Sequence, residues 1–364
     1  MSEKNSSQAA RRDAVILIPS LEPDERLPAY IEKLVDSGFG HVVVVDDGSA
    51  ASYQPIFERI AAVEHVTVLH HEVNRGKGVA LKTGYRWIRE HLPEISGVIT
   101  ADADGQHTLP DCVRLAEELY KGKRALYLGT RDFSQKNVPP KSRTGNRFTS
   151  VLFLLLYGKW LEDTQTGLRA FRREDLDFMT GIEGDRFEYE MNVLIACARE
   201  DLPMIAIPIE TVYENENRGT HYHPFRDSMR IFRVLASGFI RFMGVSLLCV
   251  LIDQVLFNVF NLAVFRNGVA KAGTIILAST AIARVISASV NFLLNKKFVF
   301  KLKGNSGGAL VRYILLCVAV MLLSAGFVWL LGKAGMHSTP AKIIVDTLLY
   351  FVNYRVQQKW VFRS

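Results

Sequence analysis

Gly97-Val-Ile-Thr-Ala-Asp102-Ala-Asp104-Gly-Gln106 is the stretch that decides the fold, because a short apolar strand ends directly in two carboxylates. Carboxylates one residue apart on an extended or turning backbone can reach a single hard cation, and the Gln106 amide oxygen can complete its oxygen shell. A cation held in this way would bind a phosphate. The stretch therefore predicts a phosphate-binding metal site at the end of a strand.

A second acidic pair follows an earlier strand. Residues 41–45 are a continuous, mostly β-branched run, as expected for a strand covered on both faces, and Asp46-Asp47-Gly48-Ser49 ends it. We predict that the two strands are neighbours. Their carboxylates would then share the carboxyl edge of the sheet, which is where open α/β sheets bind ligands.

Strands and helices alternate around these two stretches. The predicted strands are 15–18, 41–45, 66–69, 97–101, 126–129, 168–171 and 205–209. The predicted helices between them include 27–37, 53–62, 109–120, 151–161 and 187–199. This alternation is typical of an α/β fold with a mostly parallel sheet and helices on both faces.

The 364 residues have an uneven composition, which predicts separate domains. Residues 13–230 mix charged helices with short apolar strands and are predicted to be a soluble domain. Residues 231–364 are dominated by long apolar runs and are predicted to be a membrane domain. Residues 1–12 are short and polar, which predicts a disordered tail and not a signal peptide.

Four apolar segments of the second part are predicted to span a lipid bilayer, the fourth being short or tilted: 242–265, 272–294, 313–331 and 343–356. Lys and Arg are more frequent before the first segment and between the second and third than in the other two loops, which predicts cytoplasmic termini. Much of the net charge of +7 lies in these flanks. The charge therefore indicates a membrane surface and not nucleic acid.

The membrane part also repeats itself. Asn291-Phe-Leu-Leu-Asn-Lys-Lys-Phe-Val-Phe300 parallels Asn353-Tyr-Arg-Val-Gln-Gln-Lys-Trp-Val-Phe362, and Arg241-Phe parallels Arg312-Tyr. The repeat predicts two helical hairpins in the same orientation, a duplication that is common in small transporters.

Three ionisable residues, Asp253, Arg284 and Asp346, lie near the middle of apolar segments. Charge is costly there and is usually paired or turned towards a polar path. The sequence leaves two interpretations open, a salt-bridged structural lock and a polar path for a lipid headgroup or sugar phosphate.

With the turn Asn74-Arg-Gly-Lys-Gly78, the two acidic strand ends carry a family resemblance. Residues up to about 230 resemble a family 2 glycosyltransferase of the GT-A fold, especially its dolichol-phosphate mannose synthase and GtrB-like branch. Residues from about 241 resemble a GtrA-type membrane domain. The resemblance implies a GT-A domain (Rossmann-like, mostly parallel sheet) followed by an all-α transmembrane domain of four helices in two parallel repeats.

The resemblance assigns donor contacts at one end of the site. Asp46 and Asp47 match the acidic pair that holds the nucleoside of a UDP- or GDP-linked sugar, and Lys77 matches the basic residue near it. After Pro19 the family usually has Asn-Glu, whereas this chain has Ser-Leu-Glu22-Pro-Asp24. Glu22 or Asp24 is predicted to supply the missing contact, and the choice of base stays open.

The same resemblance implies a metal cofactor. Asp102, Asp104 and Gln106 match a triplet that binds Mg²⁺ or Mn²⁺, a cation that neutralises charge on the departing diphosphate. His221, His223 and Asp227 could imitate a zinc set, but two alternating histidines are a weak indication of one.

Residues 130–150 form a predicted basic loop that resembles the acceptor loop of polyprenyl-phosphate transferases. Its Arg131, Arg143 and Arg147 can clamp a phosphate through planar, charge-assisted hydrogen bonds. A phosphate oxygen is already a nucleophile near pH 7, whereas a sugar hydroxyl needs a general base. Glu188 and Glu190 lie where related hydroxyl-directed enzymes carry that base, so a hydroxyl acceptor remains an alternative.

Two further polar segments complete the predicted site. Asp163-Thr-Gln165-Thr-Gly167 and Arg169 resemble the family's turn that lines the donor sugar and the acceptor, and the segment beginning at Arg218 is predicted to close over a phosphate. Asp104, Arg131 and Gln165 are the residues predicted to act at the reacting atoms.

Together with the residues above, the resemblance implies a metal-dependent, inverting transfer of sugar to a polyprenyl phosphate, expected to be undecaprenyl phosphate, at the cytoplasmic face of the inner membrane. The membrane domain would anchor the enzyme and help to move the lipid-linked sugar. A lipid-linked-sugar translocator with a recognition domain is a second alternative. The sugar and a homo-oligomeric state are left open.

Overall fold

A computed structural model of the chain describes residues 3–135, 138–210, 224–265, 272–300, 302 and 307–362. It divides into two compact units, Met1–Leu235 and Ala236–Ser364. The division lies a few residues after the predicted domain boundary at 230.

The first unit is built on a sheet with the strand order β3-β2-β1-β4-β6-β5-β7. The strands are β1 (Ala14–Ser20), β2 (His41–Asp46), β3 (Val66–His70), β4 (Gly97–Thr100), β5 (Leu126–Thr130), β6 (Arg169–Arg172) and β7 (Met204–Pro208). β6 runs antiparallel to β4 and β5, and the other described pairs are parallel. The predicted mostly parallel sheet is confirmed.

The two acidic strands are not neighbours, which corrects the prediction. β1 lies between β2 and β4, and its residues pair in register with both, Ser20 with Asp46 and Leu17 with Thr100. All three strands point the same way, so their carboxyl ends still meet at one edge. Periodicity within a strand cannot reveal which strand is inserted beside it.

Helices pack on this sheet, most of them through apolar stripes. In the first unit they are α1 (Glu3–Arg12), α2 (Arg26–Asp36), α3 (Gln54–Ala61), α4 (Lys77–His91), α5 (Leu109–Tyr120), α6 (Pro140–Tyr157), α7 (Leu176–Gly181) and α8 (Glu188–Arg199). On α2, Leu27, Ile31 and Leu34 are fully buried at the spacing of an amphipathic helix. They pack with strand side chains such as Ile16 and Val44 in one core.

Residues 3–12, predicted to be disordered, form the helix α1. Ala10 of this helix is buried, the Ser7 hydroxyl donates to Glu117 of α5 at 2.5 Å, and Arg11 donates to the Ser37 carbonyl at 2.7 Å. The prediction was wrong because α1 packs through one small residue and polar contacts. Its sequence therefore lacks the apolar stripe by which a packed helix is recognised.

The second half of the predicted basic loop is also helical. α6 begins at Pro140, whose fixed φ and missing N–H suit a first helical turn, and ends at Gly158 in the left-handed region at φ +68°. Arg143 and Arg147 therefore lie one turn apart on a helix. The polar first turns of α6 lack the apolar periodicity that would have revealed them.

The remaining helices are α9 (Pro224–Phe265), α10 (Ala272–Leu294), α11 (Gly307–Lys333) and α12 (Ser338–Val356). By length and composition, two stretches of the described chain can cross a membrane, Met229–Phe260 with mean hydropathy 2.1 and Gly307–Lys333 with 2.7. The four predicted spans match the four helices in position, and their crossing of a bilayer stays a prediction.

The two sequence repeats adopt the same backbone. α10 and α12 both continue into a π-helical turn, Asn295–Val299 and Gln357–Val361 respectively. The buried Asn295 amide donates to the Gln357 side chain at 3.3 Å and to Asn291 at 2.7 Å. Hydrogen-bonded amides thus join the two repeats at corresponding positions.

The ionisable residues of the apolar segments make interhelical contacts. Asp253 of α9 accepts a hydrogen bond from Ser287 of α10 at 3.0 Å and lies 3.5 Å from Arg284. Asp346 of α12 accepts from Ser324 of α11 at 2.5 Å and pairs with Lys342 on its own helix at 2.8 Å. These contacts are those of a structural lock, and the polar path stays a prediction.

Candidate functional site

Asp46, at the carboxyl end of β2, shapes the loop that follows it. Its side chain is almost fully buried and accepts hydrogen bonds from the Ser49 amide at 2.8 Å, from His70 Nδ1 at 3.0 Å and from Gln54 at 3.3 Å. Burial alone would raise the pKa of this carboxyl, but the hydrogen bonds from Ser49, His70 and Gln54 outweigh it and lower the pKa. Asp46 is therefore an anion held in place.

Asp47 has a role that its sequence did not reveal. Its oxygens accept the backbone N–H groups of Arg75 at 3.0 Å and Gly76 at 2.7 Å, and His71 Nδ1 lies 2.8 Å away. Gly76 has φ +102°, and a Cβ there would come within 2.4 Å of the Asp185 carbonyl oxygen. Asp47 and Gly76 together fix the turn that begins α4.

This turn connects the two acidic clusters, because its next residue, Lys77, reaches the other one. The Lys77 ammonium lies 2.6 Å from Asp102 Oδ1 and 3.1 Å from Glu190 Oε1. Burial would lower the pKa of Lys77, but the two carboxylates raise it above its ordinary value. The predicted nucleoside-side lysine thus contacts a predicted metal ligand.

Asp102, Asp104 and Gln106 leave the end of β4 as a short loop. The Gln106 backbone N–H donates to Asp104 Oδ1 at 3.0 Å. Burial would raise the pKa of Asp102, but Lys77 and His107 lower it to about 2, whereas burial and the charge of Asp102 raise the pKa of Asp104. The loop therefore presents carboxylates of unequal basicity.

These residues fit a hard divalent cation. Their donors are oxygen atoms, and the Lys77 ammonium on Asp102 shows that a cation is already accommodated. Gly167 covers the Asp102 carboxylate so closely that a Cβ would lie 2.3 Å from Oδ2. The described residues hold no group of three or more His, Cys, Asp or Glu side chains suited to a metal, so water and phosphate would have to complete the shell.

His107 is a site residue that sequence reasoning missed, although it directly follows Gln106. Its ring is buried, and Nδ1 accepts the backbone N–H of Asp102 at 3.0 Å. A neutral His107 therefore carries its proton on Nε2, which lies 4.0 Å from Asp102 Oδ2. His107 holds the backbone of the first predicted metal ligand.

Arg131, predicted to act on phosphate, is paired within the protein. Its guanidinium makes a bidentate ion pair with the fully buried Asp163, Nε to Oδ2 at 2.7 Å and Nη2 to Oδ1 at 3.1 Å. Asp163 also accepts the Gln165 backbone N–H at 2.9 Å. Arg131 thus fixes the turn 163–167, whose end covers Asp102.

The other predicted acceptor residues differ in their contacts. Arg143 donates to the carbonyl oxygens of Phe133 at 2.8 Å and Gln135 at 2.9 Å, which ties residues 133–135 to α6. The Arg147 and Gln165 side chains are exposed. Arg218, like His221 and His223, lies outside the described residues.

At the predicted nucleoside end, Glu22 lies beside the loop after β2. Pro19 of β1 is paired with Val45 of β2, and the Glu22 N–H donates to the Ser49 hydroxyl at 2.8 Å. Asp24 instead accepts from the backbone and guanidinium of Arg26 at the start of α2. Glu22 is exposed beside the site, whereas Asp24 is paired locally with Arg26.

The two glutamates of the hydroxyl-acceptor alternative have other partners. Glu188, the first residue of α8, accepts the backbone N–H groups of Asp185 and Arg186 at 3.3 Å and so holds the loop before the helix. Glu190 pairs with Lys77, and its carbonyl oxygen accepts from Arg169 at 2.8 Å.

Known proteins resemble both parts of the chain. The family described as Glycosyl transferase family 2 matches residues 15–179, and the family described as GtrA/DPMS, transmembrane domain, matches residues 241–362. An uncharacterised protein of Methanocaldococcus jannaschii is 30% identical over 61% of this chain and 92% of its own length.

Two named relatives match the first part. The UDP-N-acetylglucosamine–dolichyl-phosphate N-acetylglucosaminyltransferase of Methanococcus voltae is 26% identical over 57% of this chain and 89% of its own length. The undecaprenyl-phosphate 4-deoxy-4-formamido-L-arabinose transferase of Proteus mirabilis is 28% identical over 45% of this chain and 50% of its own length.

Proposed function

Because the chain belongs to glycosyl transferase family 2 and carries a GtrA/DPMS transmembrane domain, we propose that it transfers a sugar from a nucleotide-sugar to a polyprenyl phosphate. The observation that carries the proposal is the Asp102–Asp104 loop with Lys77 at a sheet edge, in one chain with a membrane domain. Relatives named for transfer to dolichyl phosphate and to undecaprenyl phosphate support the acceptor class.

The donor would bind across the carboxyl edge of β1, β2 and β4. Asp102, Asp104 and Gln106 would hold Mg²⁺ or Mn²⁺, which when bound neutralises charge on the departing nucleoside diphosphate. The nucleoside would lie towards Asp46 and the exposed Glu22. UDP and GDP donors both suit this arrangement.

The acceptor would supply the nucleophile. An oxygen of the lipid phosphate forms a bond to the anomeric carbon as the bond from that carbon to the diphosphate breaks, with inversion, and the nucleoside diphosphate leaves. The phosphate oxygen is ionised near pH 7, so no side chain needs to remove a proton. The hydrogen bonds of Glu188 to the loop before α8 and the ion pair of Glu190 agree with such a reaction.

Arg143 and Arg147, one turn apart on α6, would meet the lipid phosphate. The turn 163–167, fixed by Arg131 and Asp163, would line the transferred sugar. The Lys- and Arg-rich flanks of the apolar segments support a multi-pass protein of the inner membrane with cytoplasmic termini. The membrane domain would anchor the enzyme and help to move its product.

The test uses the full-length protein in detergent with a panel of labelled UDP- and GDP-sugars, Mg²⁺ or Mn²⁺, and two lipids, undecaprenyl phosphate and undecaprenol. Transfer to the phosphate and none to the alcohol is expected. Transfer to undecaprenol would identify a hydroxyl-directed enzyme and overturn the acceptor. No transfer from any donor would overturn the enzymatic role in favour of translocation.

A further inference from the structure

The Lys77 ammonium occupies a carboxylate that the metal would need. It lies between Asp102 Oδ1 at 2.6 Å and Glu190 Oε1 at 3.1 Å. Only 16% of the Lys77 side chain is exposed, and 15% of Glu190. Water therefore screens these charges poorly. The ammonium compensates two carboxylates that would otherwise face each other with little solvent.

The position of Lys77 is set by its surroundings. Asp47 binds the N–H groups of the two preceding residues, and Gly76 packs against the Asp185 carbonyl. His71 links Asp47 to Thr83, nearly two turns further along α4, through a hydrogen bond of 3.0 Å between Nε2 and the hydroxyl. The backbone of Lys77 is therefore fixed, and its ammonium can move only by rotation of the side chain.

A metal ion and this ammonium exclude each other at Asp102. Gly167 covers one side of the carboxylate, where a Cβ would lie 2.3 Å from Oδ2, so a metal ion would approach Asp102 on the side that holds the Lys77 ammonium. Two cations sharing one carboxylate oxygen at salt-bridge distance would also repel each other strongly in a poorly solvated site. Metal binding must therefore move Lys77, and Glu190 is the partner that can retain it.

We propose that Lys77 is an internal counter-cation of the metal site. It occupies Asp102 while the metal is absent, releases Asp102 when the metal arrives, remains on Glu190 and then contacts the donor diphosphate. The inference rests on the metal ligands of the proposed function. It requires that the metal alone binds weakly and that metal and nucleotide favour each other's binding.

The proposal predicts effects of opposite sign for one substitution. Lys77→Met removes the competing charge, so Mn²⁺ alone should bind about tenfold more tightly, as expected when a unit charge a few ångströms away is lost. The same variant loses a diphosphate contact. UDP and GDP, each tested at saturating Mn²⁺, should therefore bind about tenfold more weakly wherever the wild type binds them.

Mn²⁺ binding is measured on the full-length protein in detergent from the electron paramagnetic resonance signal of free Mn²⁺, without turnover. Lys77→Arg keeps the cation and should retain the weak Mn²⁺ binding of the wild type. Lys82→Met is the matched control, because Lys82 lies on the same helix and donates to the Gly184 carbonyl at 2.7 Å. Its Mn²⁺ affinity should not change.

Glu190→Gln removes the second partner of Lys77. The ammonium should then remain on Asp102, and Mn²⁺ alone should bind more weakly than to the wild type. In the Lys77→Met background the same change should have a much smaller effect, since Glu190 would act through the lysine. Equal effects in both backgrounds would overturn the role of Glu190 as the retaining partner.

A folded Lys77→Met protein with unchanged or weaker Mn²⁺ affinity would overturn the counter-cation role while leaving the metal site intact. Absence of Mn²⁺ binding in the wild type and in Lys77→Met alike would instead overturn the metal ligands of the proposed function. The two failures are therefore distinguishable.

Discussion

At the scale of single residues, the carboxylates of the sheet edge differ in what fills their hydrogen-bonding positions. Protein donors bind Asp46 and Asp47, which therefore fix loops. Asp102 faces an ammonium, and Asp104 binds one backbone N–H in its own loop. Asp102 and Asp104 are therefore available to a metal ion. On Asp102 the metal ion can replace the ammonium without leaving a backbone donor unpaired.

Asp104→Asn tests the metal ligand. The amide keeps an oxygen for the Gln106 N–H but loses the negative charge, so sugar transfer should fall by about 100-fold or more at fixed Mn²⁺. The rate is measured with labelled donor and lipid phosphate. Asp177→Asn, an exposed change on α7, is the control. Full activity in Asp104→Asn would remove Asp104 from the metal site.

His107 tests how the backbone of Asp102 is held. His107→Leu leaves the Asp102 N–H without its acceptor, and loss of such an outer contact lowers metal affinity by about 10–100-fold. His107→Asn can restore the acceptor with its side-chain oxygen and should recover part of the affinity. The measurement is Mn²⁺ binding without donor. Wild-type affinity in His107→Leu would show that the ring only fills space.

Residue patterns predicted the acidic loops. They did not predict which side chains the nearby Lys77 and Arg131 contact. The Gly-rich turn before Lys77 is visible in the sequence, yet the carboxylate that the lysine reaches depends on how α4 packs against β1, β2 and α8. In the sequence Arg131 resembles a phosphate-binding residue, because the sequence does not show that Asp163 lies beside it. Ion pairs between residues far apart in sequence arise only from tertiary structure.

At the scale of elements, α6 and the turn 163–167 form the border of the site where we propose that the acceptor binds. The strands were predictable because their apolar runs are continuous and end in acidic or glycine turns. α1 and the first turns of α6 were not, because polar residues and single small side chains make their contacts. Helix formation there depends on docking more than on propensity.

Arg131→Ala tests whether this arginine supports the border. It would leave the buried Asp163 without its ion pair, and breaking a buried pair in this way costs about 3 kcal/mol of unfolding free energy. A clear fall in the thermal unfolding midpoint of the full-length protein in detergent is expected. An unchanged midpoint combined with lost transfer would restore Arg131 as a phosphate clamp.

Arg147→Ala should behave in the opposite way. The side chain is exposed on α6, so stability should stay unchanged while KM for the lipid phosphate rises about tenfold, the effect of one lost charge-assisted hydrogen bond. KM for the nucleotide-sugar should not change. Arg59→Ala on α3, which removes another exposed arginine, is the control. An unchanged lipid KM would place the acceptor elsewhere.

At the scale of the whole molecule, the chain joins a donor-binding sheet to a duplicated helical hairpin. Aligned on the repeated segments, Asp253 takes the position of Ser324, and Arg284 takes the position of Asp346. Each hairpin thus keeps a polar contact between the same two positions, although the residue types differ. The duplication was legible in the sequence, but the pairing across each hairpin was not.

The antiparallel strand β6 has a consequence for how such enzymes can diverge. The chain leaves the sheet after β5 and returns in β6 directly beside it, with Tyr127 opposite Ala170. Residues 131–168 are therefore an excursion whose two ends are fixed next to each other. Natural variation could lengthen, shorten or replace the part of this excursion that precedes the turn 163–167 without disturbing the strands, or the turn beside Asp102, that we propose for donor binding. Acceptor choice could then evolve as a separate module while sugar activation is inherited unchanged.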